Sequence, residues 1–256
     1  MNELAWHAYG PELRDGAPPL VLLHGFPLDS RMWAYVISAA PQLPVLAIDA
    51  PGFGSSPTVD GGLDGYADAV AATLEAAGVS RAVIAGLSMG GYAALALAER
   101  HPELLAGIGL LDTKAGVDPQ DRRAGRLQMA EDALGEAGSG VVAPMLDSLL
   151  APGAPEEVRT EVTAWLAQAP PSGIAWAQRA MAARPDRLAA LTTLDVPALV
   201  LRGALDATAT LAEHEEMATA LGTQVVQVDG AGHLSAVESP REVAAALADL
   251  YARGTA

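Results

Sequence analysis

The chain contains no cysteine. That excludes disulfides, Cys-ligated zinc, iron–sulfur clusters and thiol catalysis, and leaves the fold to stand on packing alone. Basic residues are scarce: 15 Lys and Arg against 31 Asp and Glu give a formal net charge of −16. Such a balance repels phosphate backbones and anionic bilayers, so neither nucleic acid nor a membrane surface is expected as a partner. No apolar run approaches the ~20 residues that span a bilayer. The opening segment, Met1–Gly10, lacks the basic stretch and following apolar region of a secretory leader, which makes the cytoplasm the default expectation. Also missing are H-E-x-x-H, a P-loop and a G-x-G-x-x-G after a strand, so no metal and no organic cofactor is expected.

What is present is 256 residues, 51% of them hydrophobic, enough for one large α/β core or two small domains. Short β-branched apolar runs alternate with Ala-rich helical stretches, the pattern of a mostly parallel sheet covered by helices. Leu4–Tyr9, Leu20–His24, Pro44–Asp49, Ala82–Leu87 and Gly107–Leu111 are predicted strands, followed near the C-terminus by Ala198–Arg202 and Gln224–Val228, with Glu242–Tyr251 as a closing helix. Between Thr113 and Ala190 the strand signal disappears. Asp118-Pro119 has the chemistry of a helix start, and Val158, Val162, Trp165, Leu166 and Ala169 recur on one helical face. Breaks at Gly138–Gly140, Pro152–Pro155 and Pro170–Gly173 divide this insert into about four helices. The insert holds 8 basic and 10 acidic residues, so most of the acidity, 21 residues against 7 basic, sits on the sheet body as a solvated surface.

Chemistry is concentrated where the strand Ala82–Leu87 meets a helix, with Gly86-Leu87-Ser88-Met89-Gly90 at the junction. A serine on so sharp a turn is a nucleophile elbow: the hydroxyl stands above the sheet, and Gly86 and Gly90 avoid collisions where strand and helix cross. The following helix aims the Met89 amide at the space beside Ser88, where oxyanion charge develops during acyl transfer.

With these residues in view the chain resembles the α/β-hydrolase family, specifically its Ser-nucleophile, lid-bearing members, over essentially its whole length. His24-Gly25-Phe26-Pro27 is similar to the family's oxyanion segment, with the Phe26 amide as second donor. Asp49-Ala-Pro-Gly-Phe-Gly-Ser-Ser56 is similar to its glycine loop, and Arg100-His-Pro-Glu103 and Gly230-Ala-Gly-His233 to further signatures. The resemblance implies an α/β-hydrolase core over residues 1–112 and 191–256, helices on both faces of a twisted sheet, and a helical lid over 113–190. Serine in place of the aspartate carried by dehalogenases and epoxide hydrolases of this fold argues against both chemistries.

A serine hydroxyl needs a base, and five histidines are available. His7 on an edge strand, His101 after a helix and His214 among glutamates read as structural or solvated, and His24 as a loop-orienting residue. His233, in a Gly-flanked loop after the last strand, is the candidate base. Asp206, just past Ala198–Arg202, is the candidate acid in the family order Ser, acid, His; Ala207-Thr-Ala-Thr210 follows it where the family often has proline. Asp112 is the alternative acid and Asp229 a remote third.

The implied reaction is acyl transfer on a small, mainly apolar carboxylic ester or lactone, with Phe26 and Met89 amides holding the oxyanion. Perhydrolase or haloperoxidase chemistry and carbon–carbon bond hydrolysis use the same triad, and a ligand-binding role with little turnover is a further alternative. Trp33, Met89, Trp165, Trp176, Met145 and Met181 are pocket-wall candidates, although ordinary core packing is the better reading of any one of them. Arg122, Arg123 and Arg126 form a basic cluster suited to attracting a carboxylate or to a solvated helix face.

Overall fold

The computed structural model describes residues 3–12 and 17–256; the first two residues of the opening segment lie outside it. Seven strands form one sheet: β1 (Trp6–Tyr9), β2 (Leu20–Leu23), β3 (Val45–Ile48), β4 (Ala82–Leu87), β5 (Leu105–Leu111), β6 (Ala198–Gly203) and β7 (Val225–Val228). Their spatial order is β1-β3-β2-β4-β5-β6-β7, with β1 antiparallel to β3 and all other pairs parallel. All seven predicted strands are found, Ala82–Leu87 with its expected bounds and the others displaced by one or two residues. The apolar pattern starts the first strand at Leu4, but pairing starts at Trp6; Leu4 is buried in the core just before it. β1 is an exposed edge strand, whereas β2 to β5 are buried along their length, which is why they read as continuous apolar runs.

Helices cover both faces. On one side α1 (Ala34–Ala39), α10 (Ser235–Glu238) and α11 (Pro240–Gly254) pack together, and α11 lies along β4, β5 and β6. On the other, α2 (Gly62–Ala76) packs on α3 (Met89–Arg100), and α3 is followed by α8 (Leu188–Leu191) and α9 (Leu211–Ala220). Small side chains let α3 approach the sheet closely: Ala93, Ala94 and Ala96 are fully buried. α9 opens with a capping box, Thr210 accepting from the Glu213 amide and Glu213 accepting from the Thr210 amide.

Between β5 and β6 every regular element is a helix: α4 (Gln120–Leu134), a 3-10 helix (Gly138–Met145), α5 (Leu146–Leu149), α6 (Glu156–Gln168), α7 (Pro171–Ala183) and α8. The break expected at Gly138–Gly140 falls just before it, at 135–137, and Gly138 begins the 3-10 helix. The break expected at Pro170–Gly173 does separate α6 from α7, although Pro171 and Gly173 already lie in the first turn of α7, where proline is tolerated because its missing amide would have no partner anyway. α4 starts one residue late because Asp118 does not cap it; its carboxylate is drawn to arginines instead. The α6 face behaves as predicted, with Val162, Leu166 and the following Ala169 buried and Val158 and Trp165 packed against the core. Among the described residues no helix is long and apolar enough to cross a membrane.

Candidate active site

Ser88 follows the central strand β4 and immediately precedes α3, with φ 54° and ψ −111°, a region that L side chains rarely occupy. Its neighbours hold it there. The Ser88 amide donates to the Leu111 carbonyl (2.9 Å), and the Ser88 carbonyl accepts from the Thr113 hydroxyl (2.8 Å) and the Tyr92 amide (3.1 Å). Gly86 and Gly90 are sterically required: a Cβ on Gly86 would lie 2.1 Å from the Gly90 carbonyl oxygen, and one on Gly90 would lie 2.0 Å from that of Leu23.

His233, between β7 and α10, brings its Nε2 to 2.9 Å from the Ser88 Oγ across 145 positions of sequence. Its Nδ1 is 2.9 Å from Asp206 Oδ2. This network assigns the tautomer: Nδ1–H donates to the carboxylate, leaving Nε2 to accept from the serine hydroxyl. Asp206 Oδ1 accepts from the Thr208 (2.7 Å) and Ala209 (3.2 Å) amides, so the carboxylate is fixed on both sides. Burial alone would push Asp206 up, but the His233 bond, its charge and the two amides outweigh burial and hold it below the usual carboxylate range. Burial would likewise pull His233 down; the Asp206 bond and the negative charges of Asp206, Asp112 and Glu238 reverse that and raise it above 6.5.

The loop after β2 abuts this centre. His24 is fully buried, its Nε2 accepting from the Ala50 amide (2.7 Å) and its Nδ1–H donating to the Gly25 carbonyl (3.0 Å). Burial lowers its pKa, in keeping with a neutral, loop-orienting ring. Gly25 sits against Leu87 and Ser88, and the turn closed by the Leu28 amide on the Gly25 carbonyl carries Phe26. Neither the Phe26 nor the Met89 amide donates to another described residue.

The remaining histidines stand apart. His101 bonds Asp68 (2.8 Å), and His7 is half-exposed beside Asp49. His214 is fully buried, not solvated, with Nδ1 donating to the Thr210 carbonyl (2.7 Å). Asp229 is exposed. Asp112 is buried and engaged with Gly203 and Ser235.

Of the basic cluster on α4, Arg122 and Arg123 are exposed and only Arg126 is half-buried. Arg126 Nε donates to Asp118 (2.6 Å) and Arg123 Nε to the Ala182 carbonyl (3.0 Å). Arg184 grips Asp118 with two bonds (2.7 and 3.0 Å) and lies 4.2 Å from the ring centre of Tyr92, one turn beyond Ser88. Lys114 reaches both Asp118 (3.3 Å) and Glu213 on α9 (3.1 Å). Of the wall candidates, Trp33, Met89 and Met181 are buried, Trp165 and Met145 pack on the core, and Trp176 donates its Nε1–H to the Val59 carbonyl (2.7 Å). Sequence reasoning missed Glu238, whose carboxylate accepts from the Gly232 (2.8 Å) and Ala151 (2.7 Å) amides and so ties the His233 loop to the insert. It also missed Thr113 and Ser235. Only their nearness to Asp112 and His233 in the chain hinted at such roles.

Comparison with known proteins agrees with this fold. A thermophilic esterase from Thermogutta terrifontis superposes with a TM-score of 0.92 at 34% identity, covering 99% of this chain and 94% of that one. The enol-lactonase from Burkholderia xenovorans LB400 gives 0.87 at 26% identity, covering 97% and 96%. A 2-succinyl-6-hydroxy-2,4-cyclohexadiene-1-carboxylate synthase from Enterobacter sp. (strain 638) is 29% identical over 93% of both chains. The model of the alpha/beta hydrolase family matches residues 20–246, and the chain belongs to that family.

Proposed function

We propose that the protein is a serine hydrolase of small, mainly apolar carboxylic esters or lactones, acting through an acyl-enzyme on Ser88. The observation that carries this reading is the pair of 2.9 Å contacts made by one imidazole, to Ser88 Oγ on one side and to Asp206 Oδ2 on the other. Ser88 Oγ attacks the carbonyl carbon while its proton passes to His233 Nε2; the imidazolium is stabilised by Asp206 and then gives that proton to the leaving alkoxide. Water, deprotonated by the same imidazole, hydrolyses the acyl-enzyme. The free Phe26 and Met89 amides are the donors for the oxyanion, and residues 113–190 act as the lid that shapes the acyl pocket. The solved neighbours described as an esterase and an enol-lactonase support this class of substrate.

The test is a hydrolysis screen over p-nitrophenyl esters of increasing acyl length and a set of lactones, run beside an assay of peracid formation in peroxide. Turnover of short acyl esters or lactones exceeding peracid formation is the expected result. Peracid formation without hydrolysis, or no turnover of either kind, contradicts the proposal.

A further inference from the structure

Outside glycine, two described residues have positive φ: Ser88, and Asp112 at 46°. Such a backbone persists only where its surroundings hold it, and it clusters at sites where the strain serves a purpose. For Ser88 the elbow is that purpose. Asp112 immediately follows β5, the strand beside β4, and is fully buried. Each carboxyl oxygen is engaged. Oδ1 accepts from the Gly203 amide at 2.7 Å, and Oδ2 accepts from the Ser235 hydroxyl. Gly203 closes β6 just before the loop that carries Asp206, and Ser235 opens the helix just after His233. One carboxyl therefore holds the acid loop and the base loop together from beneath.

We propose that Asp112 is a positioning residue: by holding Gly203 and Ser235 it keeps Asp206 and His233 in register over Ser88 and sets a buried carboxyl close to their pair. This rests on the reading of Ser88, His233 and Asp206 given above. The charged groups facing Asp112 are Asp206, from the loop after β6, and His233, from the loop after β7; Glu238 on α10 acts on the same imidazole. Burial pushes Asp112 up to about 7, with Asp206 adding to the rise while His233, Ser235 and Gly203 oppose it. Asp112 thus changes charge over the pH range in which the base must be neutral, and once ionised it keeps the imidazole protonated to higher pH.

Two substitutions separate grip from charge. In Asp112→Asn the side-chain oxygen still accepts from Gly203 and the NH₂ donates to Ser235, so the grip persists without the charge. kcat above about pH 8 should stay within about threefold of wild type, while the acidic limb of the profile moves down by about half a pH unit or more. Asp112→Ala removes both bonds, and kcat should fall about 10- to 100-fold with KM changed much less. Should that variant not fold, Ser235→Ala removes one bond and should lower kcat about threefold or more. An acidic limb unmoved in Asp112→Asn, or wild-type kcat in whichever of Asp112→Ala and Ser235→Ala fold, overturns the proposal. So does a loss of about 10⁴-fold in Asp112→Asn beside a mild Asp206→Asn, because Asp112 would then be the acid itself. Failure of the underlying triad reading is scored separately, by turnover that survives Ser88→Ala.

Discussion

Gly52 and Gly173 meet backbone to backbone: a Cβ on Gly173 would lie 2.2 Å from the Gly52 carbonyl oxygen, and one on Gly52 would lie 2.8 Å from Gly173 Cα. The first glycine belongs to the loop after β3 and the second to the opening turn of α7. Together with the bond from the Trp176 indole to Val59, this contact seats the helical insert on the sheet loops.

Replacing glycine by alanine within a helix ordinarily stabilises it by about 1 kcal/mol. At Gly173 the sign should reverse, because α7 must lift off Gly52, and a net loss of about 1–3 kcal/mol is expected. Thermal unfolding of Gly173→Ala reads this directly. A melting temperature equal to or above that of the wild type contradicts the close seating.

The pH dependence follows from the sign of the His233 shift. The base must be neutral to accept the serine proton, and its pKa is raised above 6.5, so kcat/KM should fall through an acidic limb lying above 6.5. The stability contributed by the raised His233 runs the other way: it is fully present below 6.5 and is lost as pH rises through the folded value. Asp206, held low, contributes stability above 3.8 that is lost as pH falls through its folded value. A kcat/KM profile whose acidic limb lies at or below 6.5 is the contrary result.

Asp118 ties the root of the insert to the nucleophile helix through Arg184. Burial opposes ionisation of Asp118, but Arg184 and Arg126 overcome it and hold the carboxyl well below the usual range. The Arg184 side chain is only 2% exposed, so Asp118→Ala strands a cation away from water. Removal of one partner from such a pair costs about 3–5 kcal/mol, and urea unfolding of Asp118→Ala should show a loss of that order. A change below about 0.5 kcal/mol would place the cluster among surface ion pairs of no consequence.

The elbow was legible because Gly-x-Ser-x-Gly between an apolar strand and an Ala-rich helix is a local signal, complete within a few residues. The strands were legible for the same reason: β4 and β2 are buried on both faces and read as unbroken apolar runs. The wider site required a fold to make sense of it. His233 was found by its Gly-flanked loop, but the bond of Glu238 to Ala151 spans 87 positions and that of Asp112 to Ser235 spans 123. No periodicity records contacts of that range. Of the two readings open for His214, structural or solvated, the structure bears out the first: its glutamate neighbours in the chain do not settle burial, which is decided by how α9 packs on β6. The arginines of α4 are visible in the sequence as a basic cluster, but the pairing of Asp118 with Arg184, 66 positions away, requires the insert to fold back on itself.

The central claim, that Ser88 is the activated nucleophile, is tested most directly by mapping the adduct of a fluorophosphonate by mass spectrometry. The account predicts a single phosphonylated residue, Ser88, with no adduct in Ser88→Ala and strongly slowed labelling in His233→Ala. An adduct on another residue, or labelling of His233→Ala at the wild-type rate, would contradict it.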